Sequence, residues 1–186
     1  MNKKARIIAL LAFFPITAFS ATVEQAFVDE QDGHYLINLV MQVETPKAEI
    51  IQVLTNYAQI HELSKSIISS KVIEHTSESA KVELISEGCI FLFCKTITQV
   101  QTAKRMGSDY IIVNVEPLTD NIKSSVQYWR FKPLGNSKTL VTYSADIEPD
   151  FWVPAFLGSW LFQQRLLEEA TEIITNAETI ANYQSH

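Results

Sequence analysis

The chain has 186 residues, with 15 lysines and arginines against 21 acids and a formal net charge of −6. Its 47% apolar content is enough to close one core and too high for a disordered chain. An acidic balance without a basic run excludes a phosphate-backbone binder, so no nucleic-acid partner is expected.

Residues 1–20 read as a signal peptide. Lys3, Lys4 and Arg6 form a basic start, Ile7 to Phe14 an apolar run, and Ala18 and Ser20 occupy the −3 and −1 positions of a small-residue cleavage site. The apolar run is shorter than the roughly 20 residues that a bilayer span takes. Cleavage after Ser20 removes three cations and no acid, so the mature chain carries −9. The expectation is a periplasmic or secreted protein, with residues 21–186 as a single domain.

Export gives the two cysteines their meaning. Cys89 and Cys94 lie in G-C-I-F-L-F-C, with no third and fourth metal ligand nearby. A disulfide is expected from the compartment. In a straight strand the two Cα atoms would stand about 17 Å apart, against the roughly 7 Å a disulfide allows. The bond therefore requires a turn or bulge between them.

In chain order, residues 21–32 are polar and mixed and read as a short lead-in. His34 to Val43 alternates, with Tyr35, Ile37, Leu39, Met41 and Val43 on one face, a half-buried strand. Thr45-Pro46 opens a helix, with Thr45 as the cap and Pro46 the first position. Ile60 to Ser64 is a second short helical piece. Strands follow at 68–74, 81–87, 95–103, 110–115, 123–132 and 139–147, separated by Ser-, Gly-, Asn- and Pro-rich turns, which makes an antiparallel meander.

The last long element is a helix. Pro154 suits its first turn, and Phe162, Leu166, Ala170, Ile173, Ala177 and Ile180 form one apolar stripe. Glu168, Glu169, Glu172 and Glu178 fall mostly off the stripe and are expected in water. Ahead of it, Phe156, Leu157, Trp160, Leu161 and Phe162 make the segment apolar nearly all round. Such a segment is extra core, the border of a ligand cavity, or a membrane-surface patch.

Four stretches carry a family likeness: V-E-T-P-K-A-E-I-I-Q-V-L-T-N-Y-A-Q-I-H-E-L (43–63), I-I-S-S-K-V-I-E (67–74), Y-W-R-F-K-P-L-G-N-S-K-T-L-V-T-Y (128–143) and the passage from Pro149 through Pro154 into the long helix. Together they resemble the START-like superfamily, also called helix-grip or SRPBCC, in its polyketide cyclase/dehydrase and coenzyme Q-binding branch. Where members of that branch carry Tyr-Pro between the early helices, this chain has Ile60-His61. The resemblance implies an α+β fold: a curved antiparallel sheet of about seven strands wrapped on the long C-terminal helix, with two short helices after the first strand. It also implies a cavity between sheet and helix.

A cavity is not a reaction. His34, His61, His75 and His186 are scattered without metal-ligand spacing, no serine sits in G-x-S-x-G, and no glycine-rich phosphate loop occurs. No catalytic set, metal or cofactor is expected. What remains is aromatic surface: Tyr57, Phe91, Phe93, Trp129, Phe131, Tyr143, Trp152, Phe156 and Trp160 are the candidate ligand-binding residues, and side chains of this kind can equally be plain core. The expected function is an exported binder of a hydrophobic small molecule that is lipid-, quinone- or polyketide-like. The alternatives are a cyclase/dehydrase-type enzyme, or a protein- or membrane-contact module using Phe151 to Phe162. The direction in which Trp152, Phe156 and Trp160 face separates binding from surface contact. Oligomeric state is left open by the sequence.

Overall fold

In the computed structural model, which describes residues 21–90, 93–116, 122–150 and 158–184, the chain opens on a hairpin. Asp32 and Gly33 take φ of 53° and 84° and join β1 (Thr22–Gln31) to β2 (His34–Val43). Two consecutive positive φ values are what the tightest hairpin turn requires, and Asp-Gly is among the pairs that supply them. The polar stretch expected as a lead-in is thus a strand. All but one of its residues are exposed, so no apolar alternation advertises it.

After β2 come α1 (Lys47–Leu54) and a 3-10 segment (Tyr57–Glu62). Pro46 takes the N-cap position, and Thr45 does not cap: its hydroxyl donates to Asn182 Oδ1 at 3.0 Å. Six strands follow: β3 (Ile67–His75), β4 (Ser79–Ile90), β5 (Phe93–Met106), β6 (Tyr110–Val115), β7 (Ile122–Pro133) and β8 (Thr139–Pro149). The long helix is α2 (Gly158–Gln184). The sheet is antiparallel and eight-stranded, in the order β1-β2-β8-β7-β6-β5-β4-β3. Eight strands replace the expected seven, and the short helices follow the second strand, because β1 adds an edge. Both edge strands are irregular, with register shifts at Val23/Gln25 in β1 and at Ile67/Ser69 and Val72/Glu74 in β3.

α2 lies across β1, β2 and α1. Its buried positions are Ala170, Ile174, Ala177, Glu178 and Ala181. The apolar stripe is rotated slightly from the expected one, so Ile174 and Ala181 are fully buried while Ile173 and Ile180 are half-buried. The expectation that Glu178 meets water is overturned: its side chain is 2% exposed and accepts the Glu44 N–H at 2.5 Å. No helix of the described residues is long and apolar enough to cross a membrane. This α+β arrangement, a long C-terminal helix held by a curved antiparallel sheet, is the helix-grip fold.

Cys89 and Cys94 are disulfide-bonded with their Cα atoms 4.0 Å apart. They face each other across β4 and β5, and the next pair outward is Ile90 with Phe93. The bond therefore joins two paired strands and not two positions of one straight strand. Closing so short a loop restricts the unfolded chain by roughly 2 kcal/mol. The Cys89→Ala/Cys94→Ala variant should lose about that much stability in urea unfolding, and the native protein should lose the same on full reduction. Coincident curves with and without reductant would rule this out.

Candidate functional site

The concave face of the sheet is built by the strict alternation of its strands. β8 places Val141, Tyr143 and Ala145 on it, β7 Trp129 and Phe131, β6 Ile111, Val113 and Val115, and β4 Ala80, Val82 and Leu84, all buried. These residues do not form one continuous core. One apolar cluster joins β2, β6, β7 and β8, with Ala103 of β5, to α1 and α2; a second, smaller one holds Ala80, Val82 and Leu84 under Ile60 and Ile67, with Ala80 beside Ala103. Tyr57 packs against both.

Between the clusters the same face carries polar side chains. Gln99 and Gln101 lie opposite Leu84 and Val82, Gln127 opposite Val113 and Ala145, and Ser125 opposite Ile147. Gln101 and Ser125 are buried, and Gln99 Nε2 donates to Gln101 Oε1 at 3.4 Å. Beside this strip the Trp129 and Tyr143 rings meet at 4.5 Å with their planes at 47°. Burial pushes the Tyr143 phenol far above its usual range, and the Glu169 carboxylate of α2 adds to the push. The phenol is therefore a neutral hydrogen-bond donor and not a base. Burial likewise raises the Tyr57 phenol, against an opposing effect of Arg105. Apolar walls with a few amide and hydroxyl tips suit a largely apolar guest with a polar end.

Of the candidate residues named from sequence, Trp129, Phe131 and Tyr143 meet on this face and Tyr57 caps it from the 3-10 segment. Trp160 stands away from it, with 66% of its surface exposed. Phe91, Trp152 and Phe156 lie outside the described residues, as does the side chain of Phe93. None of the glutamines is among the candidate residues named from sequence. Gln99 and Gln101 share the parity of Ala103 on β5, and Gln127 that of Trp129 and Phe131 on β7, so strand register is what reveals them.

The histidines lie elsewhere. His34 Nδ1 pairs with Asp146 at 2.8 Å, and that hydrogen bond raises the imidazole pKa above its ordinary value. His61 Nδ1 meets Ser70 Oγ at 2.9 Å on the surface. Among the described residues no cluster of three or more His, Cys, Asp or Glu could hold a metal ion. A hollow of about 410 Å³ runs along α2, but its described lining, Gln164 to Asn176, belongs to that helix alone. A smaller one of about 230 Å³ lies between α1, the 3-10 segment and the end of α2.

Burial ranks the aromatics energetically. Phe131→Ala should cost about 3–5 kcal/mol, because the side chain is fully enclosed. Trp160→Ala should stay within about 0.5 kcal/mol of wild type, as an exposed ring does. Urea unfolding of the two variants decides it, and the reverse order would refute this placement.

The chain was compared with known proteins. The family described as polyketide cyclase / dehydrase and lipid transport matches residues 43–172. The search of curated proteins finds no match by sequence. Among solved structures, the Zhui aromatase/cyclase of a Streptomyces species superposes with a TM-score of 0.69 at 10% identity, covering 82% of this chain and 96% of that one. A START superfamily protein from Mycobacterium smegmatis gives 0.64 at 15% identity, over 80% and 99% of the two chains. A STAR-related lipid transfer protein from Xanthomonas axonopodis gives 0.58 at 14% identity, over 84% and 98%. Identities this low speak for the fold alone. The family match spans most of the sequence and the same strands, tyrosines and tryptophan that line the concave face, and the chain belongs to the polyketide cyclase/dehydrase and lipid transport family.

Proposed function

We propose that this protein is exported, with its leader cleaved after Ser20, and that it holds a hydrophobic small molecule against the concave face of the sheet beneath α2. The observation that carries the reading is the division of that face into two apolar clusters with amides and hydroxyls between them. A sheet that served only as core has no need of amides there, since each buried one must be supplied with a hydrogen-bond partner that an apolar side chain does not require. A ligand with a polar end and an apolar body satisfies both kinds of surface. Lipid-, quinone- and polyketide-like molecules share that chemistry. The disulfide and the leader support an oxidising compartment, periplasmic or extracellular.

The groups on the face suit orientation better than bond-making. Tyr143 stays protonated, and the glutamines donate and accept without titrating. One observation favours a second reading, contact with a membrane surface: Trp160, at the start of α2, is exposed. The two are compatible in a carrier that collects its cargo from a bilayer.

Native mass spectrometry of protein purified from the periplasm, followed by organic extraction, tests the binding reading. An apolar adduct should accompany the folded chain, and Tyr143→Phe should weaken rebinding of the extracted molecule about 3–10-fold, the worth of one hydrogen bond. Protein that carries no extractable molecule, and that binds neither fatty acid, quinone nor an apolar fluorescent probe, would show the face to be core.

A further inference from the structure

The proposed ligand face leaves the buried carboxylate of Glu178 unused. Glu178 lies on α2, turned to the junction of β1, β2 and α1, where 2% of its surface is exposed. Its carboxylate takes two backbone donors, the N–H of Glu44 at 2.5 Å and the N–H of Ala21. Ala21 is itself half-buried against the main core and leads directly into β1, whose Thr22 pairs with Gln42 of β2. Among the described residues no side-chain cation acts on Glu178. The charged and titratable groups on the packed elements are Glu24, Asp29 and Glu30 on β1, His34 on β2, Lys47 and Glu49 on α1, and Glu44 between β2 and α1. Lys47 is engaged by Asp109 at 2.5 Å, and Glu44 by Lys138 at 2.7 Å. Glu44 is the neighbour that repels Glu178.

Ala21 is also the residue that follows the small-residue cleavage pattern Ala18-Phe19-Ser20. Two separate observations, one from the leader and one from the fold, therefore meet on a single nitrogen. We infer that Glu178 is the receptor for the mature N-terminus, and that cleavage after Ser20 converts a hydrogen-bonded peptide nitrogen into an ammonium ion-paired with this buried carboxylate. Hydrolysis breaks the Ser20 C–N bond, water supplies the oxygen of the Ser20 carboxylate, and the Ala21 nitrogen takes up protons to become –NH3+. The inference rests on the export reading above and adds what processing does to the folded domain. It supplies the missing cation and ties the edge strand β1 to α2.

The signs of the pH dependence follow. Before cleavage, burial raises the Glu178 pKa, so stability is lost as pH rises through its folded value. After cleavage, the ammonium favours the carboxylate, and the carboxylate raises the amine above its unfolded value of about 7.7–8.0. The ion pair therefore contributes fully below that unfolded value and is lost as pH rises through the folded one. The advantage of the cleaved chain should be largest near neutral pH and should shrink both as Glu178 protonates and as the amine deprotonates.

The test uses two exported forms, the natural chain and one whose cleavage site is moved upstream so that three residues remain before Ala21, each with and without Glu178→Gln. Intact mass reads the terminus. The natural form should melt about 5 °C or more above the extended one near neutral pH. The gap should close at alkaline pH and be absent between the two Glu178→Gln forms. As a readout independent of that variant's folding, the Ala21 amine should resist reductive methylation in the native protein and react after unfolding. A terminus other than Ala21 overturns the processing reading and this inference with it. A terminus at Ala21 with equal melting temperatures, or with a freely methylated amine, overturns the inference alone and leaves export standing.

Discussion

A small polar junction fixes how the helix meets the sheet. Where β2 passes into α1, Glu44 offers its N–H to Glu178, Thr45 gives its hydroxyl to Asn182, and the carbonyl of Thr45 accepts the Thr139 hydroxyl at 2.8 Å. Three elements distant in sequence, the β2–α1 corner, the start of β8 and the last turns of α2, are tied at one buried point. Apolar contact is non-directional and would let a 27-residue helix slide or roll over a curved sheet. Buried hydrogen bonds cannot slide, because breaking one strands a desolvated group. Among the described residues no buried side-chain polar atom lacks a partner, so the junction is satisfied as well as specific.

That anchor explains why the interior is divided. α2 is held at its C-terminal end over β1, β2 and α1, and the sheet continues past it through β7, β6, β5 and β4. The far strands find their cover in the 3-10 segment, whose Tyr57 and Ile60 rest on the smaller cluster. Curvature carries the sheet from one cover to the other, and Gln101 of β5 and Ser125 of β7 stay buried on the face between them.

The fold was largely legible because its strands alternate cleanly. β2 reads off its inward residues one by one, from Tyr35 to Val43. β1 escaped because a polar edge strand has no apolar alternation, although Asp32-Gly33 marked its turn. Thr45 looked like a helix cap and Glu178 like a solvated acid for one reason: local spacing cannot see a partner more than 130 residues away, and each is bonded to such a partner. The site was legible only in its aromatic half. Glutamines at inward positions carry no periodic signature of their own and become visible only once strand register is known. Trp160 read as part of the apolar wall because apolarity says nothing about the direction a ring faces.

The irregular edges have a consequence for the protein's life at high concentration. An open antiparallel sheet ends in two strands with unpaired backbone groups, which other chains can extend. Here β1 is broken in register near Val23 and Gln25, and β3 at two places between Ile67 and Glu74. A bulge kinks and twists the strand that carries it, so neither rim offers a straight template. Charges at Glu24, Asp29 and Glu30 on one rim, and at Lys71 and Glu74 on the other, make a second chain desolvate ions in order to dock. The strand that was hardest to recognise in the sequence is polar and bent because a smooth, apolar rim would invite the sheet to grow into a neighbour.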